Sequence, residues 1–208
     1  MKGLFIVLEG LDGSGKTTQA IRLYNRLKRR GILTSLFREP GSTVLGEQVR
    51  RILKSGNVDH PITELLLFNA SRSSLVSQNI SPALRNGEVV ICDRFSASTI
   101  AYQGYGSGIN IQQIKQVNDY ATMDLTPDRT ILIDIDPKIS MQRLKQNRAS
   151  KDHYEQNDFS FHRRVREGYL TLAKENIKTW RILDGTQDPR TLAVSVWEEI
   201  SPLVRLMN

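Results

Sequence analysis

The sequence contains one cysteine, Cys92, among its 208 residues. A single thiol excludes an intramolecular disulfide framework, and it also excludes a cysteine-rich zinc site. Cys92 lies inside a short apolar run, so we interpret it as a small buried hydrophobic residue. Proteins without disulfides are typical of the cytoplasm, which is the compartment we expect.

Long hydrophobic runs are also missing. A helix that crosses a bilayer needs about 20 consecutive apolar residues, and no run in the sequence approaches that length. The chain begins almost at once with an apolar run typical of a strand. We therefore expect neither a signal peptide nor a membrane partner.

Acidic residues are fewer than basic ones, which gives a formal net charge of +7 at pH 7. A basic surplus can indicate nucleic-acid binding, but it also suits an enzyme whose ligands are polyanions. The basic residues are spread over many segments, so we favour polyanionic ligands and expect no nucleic acid as a partner. With 39% hydrophobic and 25% charged residues, the chain suits one globular domain over 1–208.

Five short apolar runs, each rich in Val, Ile or Leu, end in polar or acidic residues. They cover residues 4–9, 34–39, 89–93, 129–134 and 180–184. Continuous apolar runs of this length are typical of strands buried on both faces, and helical patterns fill the intervals. The alternation predicts a three-layer α/β/α fold with a five-stranded parallel sheet.

The most specific motif follows the first run, where the sequence reads GLDGSGKTT. Gly10, Gly15, Lys16 and Thr17 match the spacing G-x-x-x-x-G-K-[ST] of a phosphate-binding loop. The glycines let backbone N–H groups turn toward phosphate oxygens, and the helix that follows directs its positive end to the same place. Lys16 would supply a charge for the outer phosphates and Thr17 a hydroxyl for Mg²⁺. We therefore predict a P-loop NTPase-type fold that binds a nucleoside triphosphate.

Ligands of parallel α/β sheets bind beyond the carboxyl ends of the strands. The polar residues that follow the apolar runs should therefore meet in one crevice: Asp12, Arg38, Glu39, Asp93, Arg94, Asp136 and Asp184. Pro40 should end the second strand and leave the guanidinium of Arg38 free. Of Arg50 and Arg51, one is expected to face solvent, and the other could clamp a phosphate together with Arg38.

A helical pattern over 64–83 contains Phe68 and Arg72, which are four residues apart and share one helix face. An aromatic ring beside a cation could stack on a base and bind its carbonyl edge. The alternative for Phe68 is an ordinary core position.

A further cluster begins at Asp93, which could bind Mg²⁺ through water, and Arg94, which suits a phosphate. Ser98, Thr99 and Gln103 follow. They could hydrogen-bond the edge of a base if they face the crevice, and otherwise they are ordinary loop and helix residues.

The segment 141–166 is basic and polar. Its basic residues are Arg143, Lys145, Arg148, Lys151, His153, Arg163, Arg164 and Arg166. Such a segment beside a phosphate site can act as a lid whose closure excludes water. We predict a helical lid here, and the alternative is a solvated helix–loop–helix.

Together these clusters resemble the thymidylate kinase family in its bacterial form. The matching segments run in order over nearly the whole chain: GLDGSGKTTQ at 10–19, REPG at 38–41, LLFNASR at 66–72, DR at 93–94, STIAYQG at 98–104, HYEQNDFSFHRRVREGYL at 153–170 and DGTQ at 184–187. Many NTPases share the phosphate loop alone, whereas the whole set is specific. The resemblance implies a nucleoside monophosphate kinase domain that transfers the γ-phosphoryl group of ATP to thymidine 5′-monophosphate (dTMP). It also implies Mg²⁺ as cofactor and a homodimer.

The resemblance also implies roles for individual residues. The ATP-binding residues would be Gly10, Leu11, Asp12, Gly13, Ser14, Gly15, Lys16, Thr17, Thr18, Arg143 and Gln187. The dTMP-binding residues would be Asp12, Arg38, Pro40, Arg50, Phe68, Arg72, Arg94, Thr99, Tyr102 and Gln103. Thr17 and Asp93 would bind the metal, and the catalytic residues would be Lys16, Asp12, Arg94 and Arg148. Within this set, Tyr102 would crowd the 2′ position of the sugar and thereby favour deoxyribose.

One departure from the family pattern concerns the catalytic arginine. Some members carry an arginine in the phosphate loop, where this chain has Gly13 and Ser14, and members without it draw the arginine from the lid. At the lid position where such an arginine is often found, this chain has His153. Either Arg148 or Lys151 would then supply the charge, and we favour Arg148.

Other functions share parts of the pattern. A kinase for another acceptor is the nearest alternative, although three phosphate-directed arginines favour a monophosphate over a nucleoside. A GTP-dependent switch should carry an N-K-x-D motif, which the sequence lacks. A nucleic-acid-binding module would explain the net charge and would bind oligonucleotides with a strong salt dependence.

Overall fold

The computed structural model of the chain describes residues 3–58, 60–146 and 158–207. Its sheet consists of β1 Leu4–Glu9, β2 Thr34–Arg38, β3 Val89–Asp93, β4 Arg129–Asp134 and β5 Trp180–Asp184. Neighbouring strands are parallel, and their order is β2-β3-β1-β4-β5. Because β1 and β3 are adjacent, the segments that follow them leave the sheet side by side.

Helices connect the strands. They are α1 Lys16–Arg29, α2 Val44–Lys54, α3 Pro61–Leu75, α4 Ser81–Arg85, α5 Ser96–Thr99, α6 Ile111–Thr122, α7 Pro137–Gln146, α8 Phe159–Glu175 and α9 Pro189–Arg205. Two π-helical segments, Val76–Ile80 and Ile100–Gly106, continue α3 and α5. Over the three described ranges, no helix combines the length and the apolar character that a bilayer crossing requires.

Strand β1 shows how the sheet divides the core, because alternate residues face opposite layers. Ile6 and Leu8 pack with residues of α1 and α9 on one face. Phe5 and Val7 pack on the other face with the helix that runs through α3 and α4. All four are buried, and burial of such a side chain stabilises the fold by roughly 1.5–3 kcal/mol.

The predicted fold, a five-stranded parallel sheet between helical layers, is confirmed. The prediction that every strand is buried on both faces is wrong for the two edge strands. Ile182 of β5, for example, is 48% exposed, and β2 ends one residue early, at Arg38. A run of apolar residues predicts a strand, but it does not indicate whether that strand lies in the centre or at the edge of the sheet.

The helix predicted over 64–83 exists, but it is not regular. A π-helical turn at Val76–Ile80 lies just before Pro82, which is near the start of α4. Proline has no N–H for the carbonyl four residues earlier, and its ring would crowd that carbonyl in a regular helix. The wider π turn relieves this crowding.

Candidate active site

The phosphate loop connects β1 to α1 at the carboxyl end of the sheet. Gly15 precedes helix α1 as its N-cap with a left-handed backbone (φ 100°), and no side chain in the described ranges caps this terminus. Helix α2 differs, because Thr43 Oγ1 accepts a hydrogen bond from Gly46 N at 2.9 Å. The first N–H groups of α1 therefore point toward the loop, where the helix dipole favours an anion.

Contacts with β4 and α7 fix the shape of the loop. Gly10 has φ 141°, and a Cβ there would lie 2.4 Å from a carbonyl oxygen of β4. Ser140 Oγ donates to the carbonyl oxygen of Asp12 at 2.6 Å, and Arg143 Nη1 donates to that of Gly13 at 3.2 Å. Arg143 thus lies beside the loop to which the resemblance assigns it.

Lys16 folds over the loop, with Nζ donating to the carbonyl oxygen of Leu11 at 2.7 Å. Burial, followed by the nearby Arg94 guanidinium, lowers the pKa of Lys16 to about 8, so the amine is mostly protonated at pH 7. Ser14 Oγ is buried in the same loop without a hydrogen-bond partner in the described part of the chain. A cation and an unsatisfied hydroxyl in one loop suit phosphate oxygens.

Thr17 and Asp93 meet because β1 and β3 are neighbours. Thr17 Oγ1 donates to Asp93 Oδ2 at 2.5 Å. Hydroxyl and carboxylate oxygens are ligands that Mg²⁺ prefers, and this ion usually takes its other ligands from phosphates and water. The pair therefore fits Mg²⁺ beside a bound phosphate chain. The described ranges contain no group of three or more His, Cys, Asp and Glu side chains that could hold a metal.

The last part of the predicted ATP site lies after β5. Asp184 accepts hydrogen bonds from the backbone and side chain of Thr186 at 2.8 and 2.7 Å, which shapes the loop. Gln187 Oε1 is buried there without a partner in the described ranges. Thr18, on the first turn of α1, is exposed.

A pocket of about 140 Å³ opens beside the phosphate loop. Its lining residues are Asp12, Glu39, Pro40, Arg50, Leu53, Lys54, Phe68, Arg72, Arg94, Ser98, Thr99, Tyr102 and Gln103. Of the ten residues predicted to bind dTMP, all but Arg38 lie in this wall. The sequence pattern gave no indication of Leu53 and Lys54, which lie on the same helix as Arg50.

Arg94 is at the junction of the pocket and the loop. Its guanidinium donates hydrogen bonds to Asp12 (2.5 Å), Ser98 (3.1 Å), Tyr169 (3.1 Å), Tyr102 (3.2 Å) and the carbonyl oxygen of Gly10 (3.2 Å). Its backbone is left-handed, with φ 73°. A non-glycine residue in this conformation costs about 1–3 kcal/mol, and such residues are enriched at functional sites, where surrounding contacts hold them.

Asp12 binds Arg94 and also accepts a hydrogen bond from Tyr102 Oη at 3.0 Å. Burial opposes ionisation of Asp12, but Arg94 and Lys16 hold its pKa well below the usual range. Burial also raises the pKa of Tyr102, which keeps its phenol protonated as a donor. The end of the pocket next to the loop is therefore an ordered array of fixed charges, which we call the phosphate end.

Arg72 organises the opposite end of the pocket, which we call the base end. It is 1% exposed and donates to Glu39 Oε2 (2.8 Å), Asn118 Oδ1 (2.8 Å) and the carbonyl oxygen of Phe95 (3.2 Å). Burial raises the pKa of Glu39 to about 7, although Arg72 acts in the opposite direction. Glu39 Oε1 has no hydrogen-bond partner in the described ranges.

The position of Phe68 is compatible with both interpretations of the sequence. It is half-buried in the pocket wall, and it also packs against a small cluster of Val49, Leu53 and Val58. Thr99 lies nearby with Oγ1 buried and without a partner in the described part of the chain. The base end thus combines an aromatic face with unsatisfied polar atoms.

The two arginines of α2 behave differently from each other. Arg50 Nη1 donates to the carbonyl oxygen of Pro40 at 3.0 Å and lines the pocket. Arg51 is exposed, and its Nε approaches the carbonyl oxygen of Glu47 one turn earlier on its own helix. The expectation that one of the two faces solvent is therefore met by Arg51.

Some predictions for the crevice are wrong. The guanidinium of Arg38 is not free, because Nη2 donates to Glu47 Oε1 at 3.1 Å, and Glu47 lies on the first turn of the next helix. Asp136 and Asp184 do not converge on the pocket. Each accepts a backbone N–H two residues ahead and shapes its own turn. A side chain that pairs across a turn, as Arg38 does, or that bonds to its own turn, as Asp136 and Asp184 do, is not available to face a crevice.

Sequence reasoning also missed Glu9, the fully buried last residue of β1. Its carboxylate accepts hydrogen bonds from Phe95 N (2.9 Å), Ser98 Oγ (2.6 Å) and Tyr169 Oη (2.9 Å). Burial raises the pKa of Glu9, while its partners favour ionisation. Ser98 and Tyr169 both contact Arg94, so Glu9 positions that guanidinium from behind. The only signal in the sequence was an acidic residue at the end of an apolar run.

Part of the predicted lid segment is described, since its first residues end α7 and its last residues begin α8. Arg166 donates two hydrogen bonds of 2.8 Å to the carboxylate of Asp134. Arg148, Lys151 and His153 fall outside the described residues. The catalytic role of Arg148 therefore stays a prediction.

Comparison with known proteins gives relatives along nearly the entire chain. The family described as Thymidylate kinase matches residues 8–195. A thymidylate kinase of Deinococcus radiodurans is 43% identical over 201 residues, which cover 96% of this chain and 97% of that protein. A thymidylate kinase of Thermoanaerobacter sp. (strain X514) is 46% identical over 189 residues, which cover 90% and 92%.

Solved structures agree with the sequence comparison. The crystal structure of thymidylate kinase from Ehrlichia chaffeensis is similar with a TM-score of 0.79 and 36% identity, over 96% of this chain and 99% of that chain. The resemblance predicted from the motifs is therefore confirmed. The chain belongs to the thymidylate kinase family.

Proposed function

We propose that this chain transfers the γ-phosphoryl group of ATP to dTMP and releases ADP and dTDP, a step toward dTTP. The observation that carries the proposal is the direct junction of two sites. Arg94 and Asp12 line the acceptor pocket, and Arg94 also donates to the carbonyl oxygen of Gly10 in the phosphate loop. A phosphate held by Arg94 would therefore lie next to the terminal phosphate of a nucleotide in the loop.

In this proposal the phosphate loop holds ATP. The N–H groups at the start of α1 and the Lys16 ammonium would bind the β- and γ-phosphate oxygens. Arg143 would lie against the adenine nucleotide at the rim of the loop. Gln187 Oε1, which is buried without a partner in the described ranges, would accept an N–H of adenine.

In the reaction, an oxygen of the dTMP phosphate attacks the γ-phosphorus of ATP. A bond forms between this oxygen and phosphorus, the bond to the β–γ bridging oxygen breaks, and ADP leaves with the electron pair. No protein nucleophile is needed, so the chain contributes alignment and charge neutralisation. Lys16 and Arg94 supply fixed positive charge on either side of the transferred group, and Asp12 holds Arg94 in place.

The base end of the pocket would select thymine. Phe68 would stack on the ring, while Arg72, Thr99 and Gln103 would bind its polar edges. Thr99 Oγ1 and Glu39 Oε1, both buried and unpartnered in the described ranges, support a polar ligand here, because buried polar atoms normally have partners.

Tyr102 and the remaining acceptor residues would surround the sugar and the phosphate. The Tyr102 ring lies under the Arg94 guanidinium, 5.1 Å from its centroid, and would crowd a 2′-hydroxyl. Arg50 would reach the acceptor phosphate together with Arg94. Arg38 would join them only after it leaves Glu47.

We infer that Thr17 and Asp93 hold Mg²⁺ together with phosphate oxygens. The ion would neutralise charge on the β- and γ-phosphates. We also infer that Arg148, from the lid, supplies a further positive charge for the transfer.

The test of the function is ADP release by the purified protein with Mg²⁺ and ATP, measured against each of the four deoxynucleoside monophosphates. We expect turnover with dTMP to exceed turnover with the other three. A flat ADP signal at saturating dTMP, or faster turnover with another acceptor, would overturn the assignment.

We further propose that the chain is a homodimer. Neighbouring helices α2, α3 and α6, together with the residue that follows α6, leave apolar side chains exposed: Ile52 (47%), Ile62 (50%), Leu66 (54%), Tyr120 (91%) and Met123 (59%). Exposed apolar residues grouped on adjacent helices are typical of an interface. Sedimentation should give the mass of two chains, and Leu66→Asp should shift it toward one. A mass of one chain for the unmodified protein would refute the dimer.

A further inference from the structure

A second concave site lies away from the acceptor pocket, between α1 and α9. This α1–α9 groove has a volume of about 310 Å³. Its lining residues are Gln19, Arg22, Leu23, Asn25, Arg26 and Arg29 from α1, and Arg190, Ala193, Val194 and Val196 from α9. None of the residues proposed to bind ATP or dTMP lines it.

The groove concentrates positive charge that no side-chain ion pair offsets within the described residues. Arg22, Arg26, Arg29 and Arg190 all line it, and in the described ranges none of the four forms an ion pair. Helix α1 contains no acidic residue at all. The acid closest to Arg190 in sequence, Asp188, accepts hydrogen bonds from backbone N–H groups at the start of α9.

Neighbouring positive charge acts on Arg26, which lies at the wall of the groove. Burial, together with the charges of Arg30 and Arg29, lowers the pKa of Arg26. Arg26 and Arg30 stack on the ring of Trp197, with guanidinium-to-centroid distances of 4.3 and 4.5 Å. The stacking fixes Arg26 at the wall of the groove, so its charge is held in place before any ligand binds.

The groove also contains an unsatisfied polar atom. Gln19 is 1% exposed, and its Nε2 donates to the carbonyl oxygen of Pro189 at 3.0 Å. Its Oε1 has no hydrogen-bond partner in the described part of the chain. Leu23, Val194 and Val196 supply apolar wall beside it. The groove therefore offers several guanidinium groups, an apolar surface and an acceptor for one N–H or O–H.

We propose that the α1–α9 groove is a second nucleotide site, which binds the polyphosphate chain of a nucleotide through Arg22, Arg26, Arg29 and Arg190. Guanidinium groups bind phosphate oxygens in a bidentate manner, and several phosphates in one chain match several guanidiniums in one groove. The apolar wall and Gln19 Oε1 suit a base with an N–H group. The volume of about 310 Å³ is that of a small-molecule pocket, which is too small to enclose a nucleic-acid duplex.

Isothermal titration calorimetry at physiological salt tests the proposal with two probes, inorganic tripolyphosphate and CTP. The protein is first saturated with Mg²⁺, ADP and dTMP, which fill the sites of the proposed function. Lys16→Ala protein is titrated in parallel, so that binding in the phosphate loop is weakened even if ADP does not occupy it. We expect one CTP bound per chain in both proteins, with tighter binding of CTP than of tripolyphosphate.

Variants locate the site. Arg22→Ala/Arg190→Ala should weaken CTP binding at least tenfold and leave ADP release with ATP and dTMP unchanged. Arg85→Ala/Arg205→Ala removes the same charge from exposed positions elsewhere and should leave CTP affinity as it was.

Equal losses of CTP affinity in both double variants, or no CTP binding at all, would refute the site. Equal affinity for the two probes would refute the nucleotide assignment. A single-stranded oligonucleotide that bound more tightly than CTP, with the same arginine dependence, would make the groove a nucleic-acid surface.

Discussion

Two of the arginines that line the acceptor pocket, Arg72 and Arg94, have different physical settings. Arg72, at the base end, is 1% exposed and held by partners from several elements. Arg94, at the phosphate end, keeps 16% of its side chain exposed and has a left-handed backbone. The first arrangement resembles a core, in which removal of one member leaves the others unpaired. The second resembles an active site, in which the strained backbone of Arg94 is kept because it places the guanidinium charge.

The difference predicts different consequences of mutation at the two ends. At the base end a substitution should lower the free energy of unfolding, because Glu39 would remain buried without its cation. At the phosphate end it should lower kcat and change stability less, because Asp12 has Tyr102 as a second partner and is partly exposed. Four substitutions and one pH profile test this contrast.

The largest effect on catalysis should come from Lys16→Ala. Loss of the ammonium over the phosphate loop removes charge that stabilises the transferred phosphoryl group, so kcat should fall by about 10²–10³-fold or more. The melting temperature should stay within a few degrees, and Lys174→Ala, an exposed lysine on α8, should behave as the unmodified protein. Near-normal turnover of Lys16→Ala would remove this residue from the mechanism.

The largest effect on stability should come from Arg72→Met. Above pH 7, where Glu39 is ionised, its buried carboxylate loses its partner, which typically costs about 3–5 kcal/mol in the free energy of unfolding. Chemical denaturation measures the loss, and adding Glu39→Gln to the variant should recover part of it. A variant with unchanged stability and weak dTMP binding would show that Arg72 acts on the ligand alone.

Arg94→Lys should separate charge from geometry at the phosphate end. Lysine retains the positive charge but loses the planar fork that contacts five groups at once. We expect kcat to fall by about 10–100-fold, on the order of a lost charge-assisted hydrogen bond, with a small change in melting temperature. Arg51→Ala, an exposed arginine on α2, is the control. If Arg94→Lys lowered the free energy of unfolding as much as Arg72→Met does, the two ends of the pocket would not differ in the way proposed here.

Much of the site could be predicted because its residues follow local patterns. The loop spacing predicted Gly15 and Lys16 as phosphate-binding residues, and Thr17 and Asp93 were both predicted near Mg²⁺. The structure brings these two side chains together because β1 and β3 are neighbours. These predictions needed only the order of residues and the rule that ligands bind at the carboxyl ends of strands.

The failures concern contacts between distant segments. Nothing in the spacing of Arg38 and Glu47 indicates that they pair across the start of α2. Similarly, Glu9 accepts a hydrogen bond from Tyr169, which is 160 residues away in the sequence, and Arg72 donates one to Asn118 of another helix. A single sequence gives residue types and spacing, whereas such partners are set by tertiary packing.

The titration of Glu39 should make the stability of the base end depend on pH. Burial raises its pKa from the ordinary 4.5 to about 7, so between these values the folded protein keeps a proton that the unfolded chain has lost. The free energy of unfolding should therefore fall as pH rises from about 4.5 to 7, and level off above 7.

Glu39→Gln isolates this contribution, because glutamine does not ionise. Between pH 5 and 7.5, stability of the variant should decline by about 1–3 kcal/mol less than that of the unmodified protein. Glu9, whose pKa is also raised, titrates in both proteins, so the comparison between them is the readout. Parallel pH profiles would show that the carboxyl of Glu39 is already ionised at pH 5.

Phe68→Ala should give the smallest effect and the finest test, because Phe68 belongs to both the pocket wall and a small apolar cluster. If it stacks on thymine, the KM for dTMP should rise about tenfold, in line with the roughly 1–3 kcal/mol of a base stacked on an aromatic ring. Its stability should change less than on removal of a fully buried ring, because it is only half-buried. Val49→Ala truncates a buried residue of the same cluster that does not line the pocket, so it should lower stability and leave the KM unchanged. If Phe68→Ala instead destabilises the protein while the KM for dTMP stays constant, the ring is a core residue, and binding of the base would depend on the polar groups around Arg72.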